Sequence, residues 1–291
     1  MTQIVESLSE IAAQYDALFV DLWGCVHDGQ KPFAEAVEAL RAYRAGGGKV
    51  VLVTNSPRPR KAVEAQLAQI GVDPEAWDSI ATSGDSARTA MFQGAVGTRV
   101  HHVGTPEELS FFEPIRVVDD PVHIELVPLD QAEGLVVTGV VNDLEDRPED
   151  YRGTLLYAKQ KGMKLLCANP DLIVDRGPHR VYCAGAIAQL YTEMGGTSLY
   201  FGKPHPPIYD LARRRLAKLG ADVPDGRILA IGDGIRTDVA GAAGEDLDCL
   251  FISGGLAAEE TGTERQPDPG KLTAYLREVQ MDPSYTIGFL R

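Results

Sequence analysis

Short apolar runs that stop at small or polar segments recur along this chain, and they alternate with stretches of helical period. Ala17-Leu18-Phe19-Val20 delivers Asp21 into Leu22-Trp23-Gly24-Cys25. Lys49 to Val53 runs into Thr54-Asn55-Ser56, Leu199 to Phe201 into Gly202-Lys203-Pro204, and Arg227 to Ile231 into Gly232-Asp233-Gly234-Ile235-Arg236-Thr237-Asp238. The helical segments between them include Pro32 to Gly46, with Phe33, Val37, Leu40 and Tyr43, and Pro207 to Gly220, with Ile208, Leu211, Leu216 and Leu219. Strand candidates alternating with such segments predict parallel βα units in a doubly wound α/β sheet. In that architecture the chemistry collects just past the carboxyl ends of the strands, where all four polar segments fall.

Two stretches carry this alternation, about 15–95 and 188–255, and they are expected to share one sheet. Between them, His101-His102-Val103, Leu135 to Thr138 and Lys164 to Ala168 read as further strands, with a helix over Pro148 to Gly162. The expected organisation is a core built from residues 1–96 and 188–291, with residues 97–187 forming an inserted α/β cap domain. The length of 291 residues suits two compact units.

Composition narrows the function. A net charge of −14 repels a polyanion, so nucleic acid is not an expected partner. No apolar stretch approaches the roughly 20 residues of a membrane span, and the first residues lack the basic start and apolar region of a secretory signal. Cys25, Cys167, Cys183 and Cys249 show no paired metal-ligand spacing and are expected to be cytoplasmic thiols. Oligomeric state has no readable code, and a homodimer is one compatible assembly.

The four polar segments occur in the order carboxylate, hydroxyl, lysine, acidic pair. An aspartate directly after a buried strand can attack phosphorus and form an aspartyl-phosphate that water later hydrolyses. Lys203 can neutralise the transferred group, Thr54 can donate a hydrogen bond to it, and Asp233 offers a hard oxygen ligand for Mg²⁺. Singly, each has a plainer reading as a turn, a helix cap or a solvated side chain. Order, strand context and spacing together point to one phosphotransfer site.

These four segments resemble the four motifs of the haloacid dehalogenase superfamily, whose first motif usually reads D-x-D-G-T/V. Only 32 residues separate Asp21 from Thr54, whereas 148 separate Thr54 from Lys203, room for a whole domain. That spacing resembles subclass IIA, which includes NagD-type nucleotide phosphatases and the pyridoxal and phosphoglycolate phosphatases. Thr82-Ser83-Gly84, Leu135 to Gly139, Ala168-Asn169-Pro170-Asp171 and Gly202 to Pro206 agree with it, so the likeness covers about residues 15–255. The resemblance implies Asp21 as the nucleophile, Thr54 and Lys203 holding the phosphoryl group, and Mg²⁺ bound by Asp21, Asp233 and the Trp23 carbonyl, with Asp238 supporting the metal. It implies that Asn55 stands near the phosphoryl group and that Asn169 and Asp171 lie on a cap loop facing a small phosphorylated metabolite.

Trp23 departs from that pattern. Phosphatases of the superfamily carry there a second aspartate, the acid that protonates the leaving oxygen and the base that activates water. Such a group is worth about 10²–10⁴-fold in rate, roughly 3–5 kcal/mol. An alkyl phosphate would suffer from its loss more than an acyl phosphate or phosphoanhydride. His27, Asp28 and His205 are the nearby substitutes the sequence offers. Two further readings follow from Trp23: a weakly active or inactive phosphate-binding protein, and a metal-independent dehalogenase-like hydrolase, against which the retained Asp233 and Asp238 argue.

Overall fold

Val50, Val51, Leu52 and Val53 are all at most 2% exposed, so the strand Lys49–Thr54 is covered on both faces, as a central strand of a parallel sheet must be. The computed structural model describes residues 2–114, 120–142, 144–176 and 179–291. In it the strand belongs to a seven-stranded sheet. The spatial order is Gln3–Ile4, Tyr285–Ile287, Asp248–Ile252, Ile228–Gly232, Ala17–Val20, Lys49–Thr54 and Ser79–Thr82. The central register is parallel: Val20 lies opposite Ile231 on one side and Leu52 on the other. Alternate side chains Ala17, Phe19, Val51, Val53, Ala230 and Phe251 pack against Ile208, Leu211 and Leu216 of the helix Pro206–Ala217 and against Leu272 and Leu276 of Pro269–Val279.

A second sheet of five strands has the order Thr197–Tyr200, Lys164–Cys167, Gly134–Val137, Arg99–Val103 and Glu125–Leu126, all parallel. Leu135, Val137, Leu165 and Cys167 pack against Leu155 and Ala158 of the helix Arg152–Gln160 and against Ile187, Ala188 and Tyr191 of Ala184–Glu193. Ile173–Arg176 and His179–Tyr182 form a separate antiparallel pair. Two compact units result: Met1–Thr54, Glu64–Ala81 and Lys203–Arg291 make one, and Asn55–Val63 with Thr82–Gly202 make the other.

One expectation is corrected. The strand leading to Lys203 does not join the main sheet: Leu199 pairs with Leu166 in the smaller one. The helix Ala184–Glu193, reaching past residue 188, packs in the same smaller unit. Chain direction and apolar content mark a buried strand but not which sheet receives it, and packing against Ala184–Glu193 decides the matter here. The contact boundaries therefore fall at Thr54, Val63, Ala81 and Gly202, whereas the sequence suggests 96 and 187. The division into catalytic core and cap remains a proposal.

Among the described residues no helix is long and apolar enough to cross a membrane. The strand assignment is testable. Leu165→Ala removes a fully buried side chain, should destabilise the smaller unit by about 2–5 kcal/mol, and should strip hydrogen-exchange protection from Thr197–Tyr200 while Ala17–Val20 keeps its own. Loss of protection in Ala17–Val20 with retention in Thr197–Tyr200 would refute the assignment.

Candidate active site

Asp21 follows the central strand Ala17–Val20, and its amide donates to the Ile231 carbonyl at 2.8 Å, which holds the strand ends together. Asp233 follows Ile228–Gly232, the next strand over, so the parallel register delivers both carboxylates to the same edge. Lys203, 3% exposed, places Nζ 2.6 Å from Asp21 Oδ1 and 2.7 Å from Asp238 Oδ1. The other oxygen of Asp238 accepts from the Gly234 amide at 3.1 Å and from Thr237 Oγ1 at 3.2 Å. Asp233 Oδ2 accepts from the Leu256 amide at 3.1 Å.

Two glycines make room for Asp233. A Cβ on Gly24 would fall 2.1 Å from Asp233 Oδ2, and Gly24 also has φ +73°, which L side chains disfavour. A Cβ on Gly255 would fall 2.0 Å from the same oxygen. The carboxylate is thus wedged between the loop after Ala17–Val20 and the loop after Asp248–Ile252.

This packing is electrostatically unbalanced. Burial, then the neighbouring charges of Asp21 and Asp238, push Asp233 well above the usual carboxylate range. Asp238 is pushed up to about 6, chiefly by burial and then by Asp21, with Lys203 opposing. Burial alone would lower the Lys203 pKa, but Asp21 and Asp238 outweigh it and raise the ammonium well above its ordinary value. One lysine therefore faces three carboxylates. A carboxylate oxygen of Asp21, one of Asp233 and the Cys25 sulfur all lie within 4.8 Å of one another. At that separation two ionised carboxylates repel by on the order of 3 kcal/mol at an effective dielectric of about 20. The donor chemistry and the missing positive charge both fit a divalent cation.

Trp23 lies half-buried, with Cη2 only 2.2 Å from where a Cβ on Gly29 would be, and its ring meets His27 edge-on at 5.3 Å. His27 is 1% exposed, and its Nδ1 accepts from the Gly29 amide at 3.0 Å. Burial lowers its pKa to about 4 against a weaker opposite pull from Asp28. With Nδ1 accepting, the neutral ring carries its proton on Nε2, and a neutral imidazole is a poor acid. Asp28 is exposed, and bonds from the Lys31 and Gln30 amides hold its carboxyl below the usual range. Neither neighbour of Trp23 carries a readily released proton at neutral pH. Burial also lowers His205.

Thr54 ends its strand and is 3% exposed. The next residue, Asn55, belongs to the smaller unit, where Nδ2 donates to Asp171 Oδ1 at 2.8 Å. Asn169 Oδ1 accepts from the Asp171 amide at 3.0 Å. The three residues expected near the substrate are therefore joined by hydrogen bonds to one another. Asp238 lies outside the Asp21–Cys25–Asp233 group and is engaged with Lys203. Two contributors escaped sequence reasoning. Cys25 reads as filler in the first motif, and the Leu256 amide sits beyond Gly254-Gly255, a pair whose position after a strand could have signalled a backbone approach to the site.

The histidine state predicts a pH response. His27 has a folded pKa below its ordinary 6.5, so its stabilising contribution is present above about pH 6.5 and is lost as pH falls towards about 4, the unfolded chain binding the proton first. His27→Gln should flatten the fall in melting temperature over that window. An identical fall in native and variant protein would contradict a buried neutral His27.

Residues 18–115 match the haloacid dehalogenase-like hydrolase family, and residues 200–279 match the HAD-hydrolase-like family. A solved hydrolase of the haloacid dehalogenase-like family from Brucella suis 1330 is 40% identical with a TM-score of 0.85, covering 99% of this chain and 100% of that one. D-glycerol 3-phosphate phosphatase of Mycobacterium tuberculosis (strain ATCC 25618 / H37Rv) is 28% identical over 252 residues, 86% of this chain, and this chain spans 66% of its length. A crystal structure of glycerol phosphate phosphatase from Mycobacterium tuberculosis in complex with magnesium shares the fold, at 24% identity and a TM-score of 0.65 over 95% of this chain and 76% of that one. With a 40% identical relative matched along its whole length and both ends of the motif set recognised, this chain belongs to the haloacid dehalogenase-like hydrolases.

Proposed function

We propose that the protein is a Mg²⁺-dependent phosphatase of a small phosphorylated metabolite, working through an aspartyl-phosphate on Asp21. The observation that carries this reading is Lys203 Nζ, buried and bonded to both Asp21 and Asp238, beside a second strand-end carboxylate at Asp233. Asp21, whose Oδ1 lies 2.6 Å from Lys203 Nζ, would supply the carboxylate oxygen that attacks phosphorus. Thr54 donates its hydroxyl to a phosphoryl oxygen, and Lys203 offsets the charge that develops there. Asp238 keeps the ammonium in position.

Asp21, Asp233 and the Trp23 carbonyl would hold the ion, with Asp238 supporting them through Lys203. When bound, Mg²⁺ supplies the positive charge that the three carboxylates lack. The magnesium complex of the mycobacterial glycerol phosphate phosphatase and the activity of the curated relative support this choice of ion and substrate class. The net charge of −14 does not oppose a small ester, because the ion and Lys203 reverse the local field. The four buried cysteines, none of them in a disulfide, suit a cytoplasmic setting.

Trp23 sets the leaving-group preference. An alkoxide must be protonated as it departs, and neither neutral His27 nor ionised Asp28 does this well. Acyl phosphates and phosphoanhydrides leave without a proton and are the favoured substrates. The missing base also slows attack of water on the aspartyl-phosphate, which favours slow turnover.

Trp23→Asp should therefore raise alkyl phosphate hydrolysis by up to about 10²–10⁴-fold and change acyl phosphate hydrolysis much less. Phosphate release in Mg²⁺ from matched substrates measures the contrast, with the variant's melting temperature recorded because Trp23 packs on Gly29 and His27. A native enzyme that already cleaves alkyl phosphates quickly, with a folded variant no faster, would refute this role for Trp23.

A further inference from the structure

Cys25 is 1% exposed, and its sulfur makes no hydrogen bond among the described residues. It nevertheless stands within 4.8 Å of carboxylate oxygens of both Asp21 and Asp233. The proposed phosphatase chemistry gives it no task, because Mg²⁺ takes oxygen ligands in near-octahedral geometry and leaves a thiol aside. A buried, unpartnered sulfur facing two carboxylates is instead a ligand set for a softer ion.

The geometry points to a second metal state of this site, in which a thiophilic divalent cation of the Zn²⁺ or Cd²⁺ class is held by Asp21, Asp233 and Cys25 in place of Mg²⁺. Zinc binds thiolate at about 2.3 Å and carboxylate oxygen at about 2.0–2.2 Å, so tetrahedral ligand atoms stand roughly 3.4–3.7 Å apart. From separations of at most 4.8 Å, that range is reached by side-chain movements on the order of 1 Å. Three protein ligands leave the fourth position to water or phosphate. Softness of the sulfur gives the selectivity, since thiolates favour zinc and its heavier relatives while oxygen-only sets favour magnesium. The thiol proton passes to solvent as the sulfur coordinates. Such an ion takes the two carboxylates that would otherwise hold Mg²⁺, so the two cations exclude each other and the softer one inhibits. That last consequence rests on the phosphatase reading, but the binding does not.

The test uses the full chain, Cd²⁺ and Zn²⁺ alone as probes, and the variants Cys25→Ser and Cys25→Val. Titration of the native protein with Cd²⁺ should produce the ultraviolet thiolate-to-metal charge-transfer band, saturating at one ion per chain. Both variants should lack that band, which separates Cys25 from the buried Cys167, Cys183 and Cys249. Zn²⁺ affinity, measured by competition with a chromophoric chelator, should fall at least about tenfold in Cys25→Ser. Mg²⁺-induced stabilisation of the same variant, carried by oxygen ligands, should persist and so report that it is folded. Absence of the band in the native protein, or Zn²⁺ affinity unchanged in a folded Cys25→Ser, would overturn the site. Failure of the native chain to release phosphate in Mg²⁺ would overturn the proposed function while leaving this metal state standing.

Discussion

The buried ammonium of Lys203 is the interaction on which the active edge depends. Three carboxylates converge on it or beside it at the ends of the central strands, and its contacts to Asp21 and Asp238 are its principal compensation for lost water. Removing one partner from such a group leaves an uncompensated buried charge, which is costly. The parallel register of Ala17–Val20 with Ile228–Gly232 makes the convergence unavoidable, because it delivers residues 21 and 233 to the same edge. Gly24 and Gly255 then admit Asp233 where any Cβ would exclude it. The arrangement remains short of positive charge. That shortage links the fold to metal binding.

Trp23 connects packing to chemistry by a different route. Its ring covers Gly29 and meets His27 edge-on, so the loop after Ala17–Val20 is organised by aromatic contact. Gly29 has φ +86° and no side chain, which is what lets the indole lie there. The same burial that packs His27 holds it neutral. The loop thereby gives up acid–base capacity as it gains a hydrophobic seal, and the proposed preference for substrates with good leaving groups follows from that exchange.

Much of this was legible in the residues. Asp21, Thr54 and Asp233 each come at the end of a short apolar run, with Asp238 five residues after Asp233, and the helices over Ala34–Ala45 and Pro206–Ala217 fall where their periodicity predicts. The apolar run before Lys203 reads as a strand of the main sheet, but Leu199 pairs with Leu166, since an apolar run records burial and not the identity of the neighbour. Cys25 and the Leu256 amide were missed because their importance is a matter of approach in space. Nothing local marks a cysteine after Gly24 as facing Asp233, or a backbone amide far along the chain as its hydrogen-bond donor. The neutral state of His27 was likewise unreadable, because it depends on burial that only the folded loop creates.

The central claim is that Asp21 takes the phosphoryl group and, with no base beside it, gives it up slowly. Native protein mixed with acetyl phosphate and Mg²⁺, quenched in acid and digested, should yield a mass spectrum in which the peptide containing Asp21 carries one added phosphoryl group, and Asp21→Asn should abolish it. Continuous phosphate release by the native protein with no phosphorylated peptide at any quench time, or a phosphoryl group found on another residue, would contradict the account.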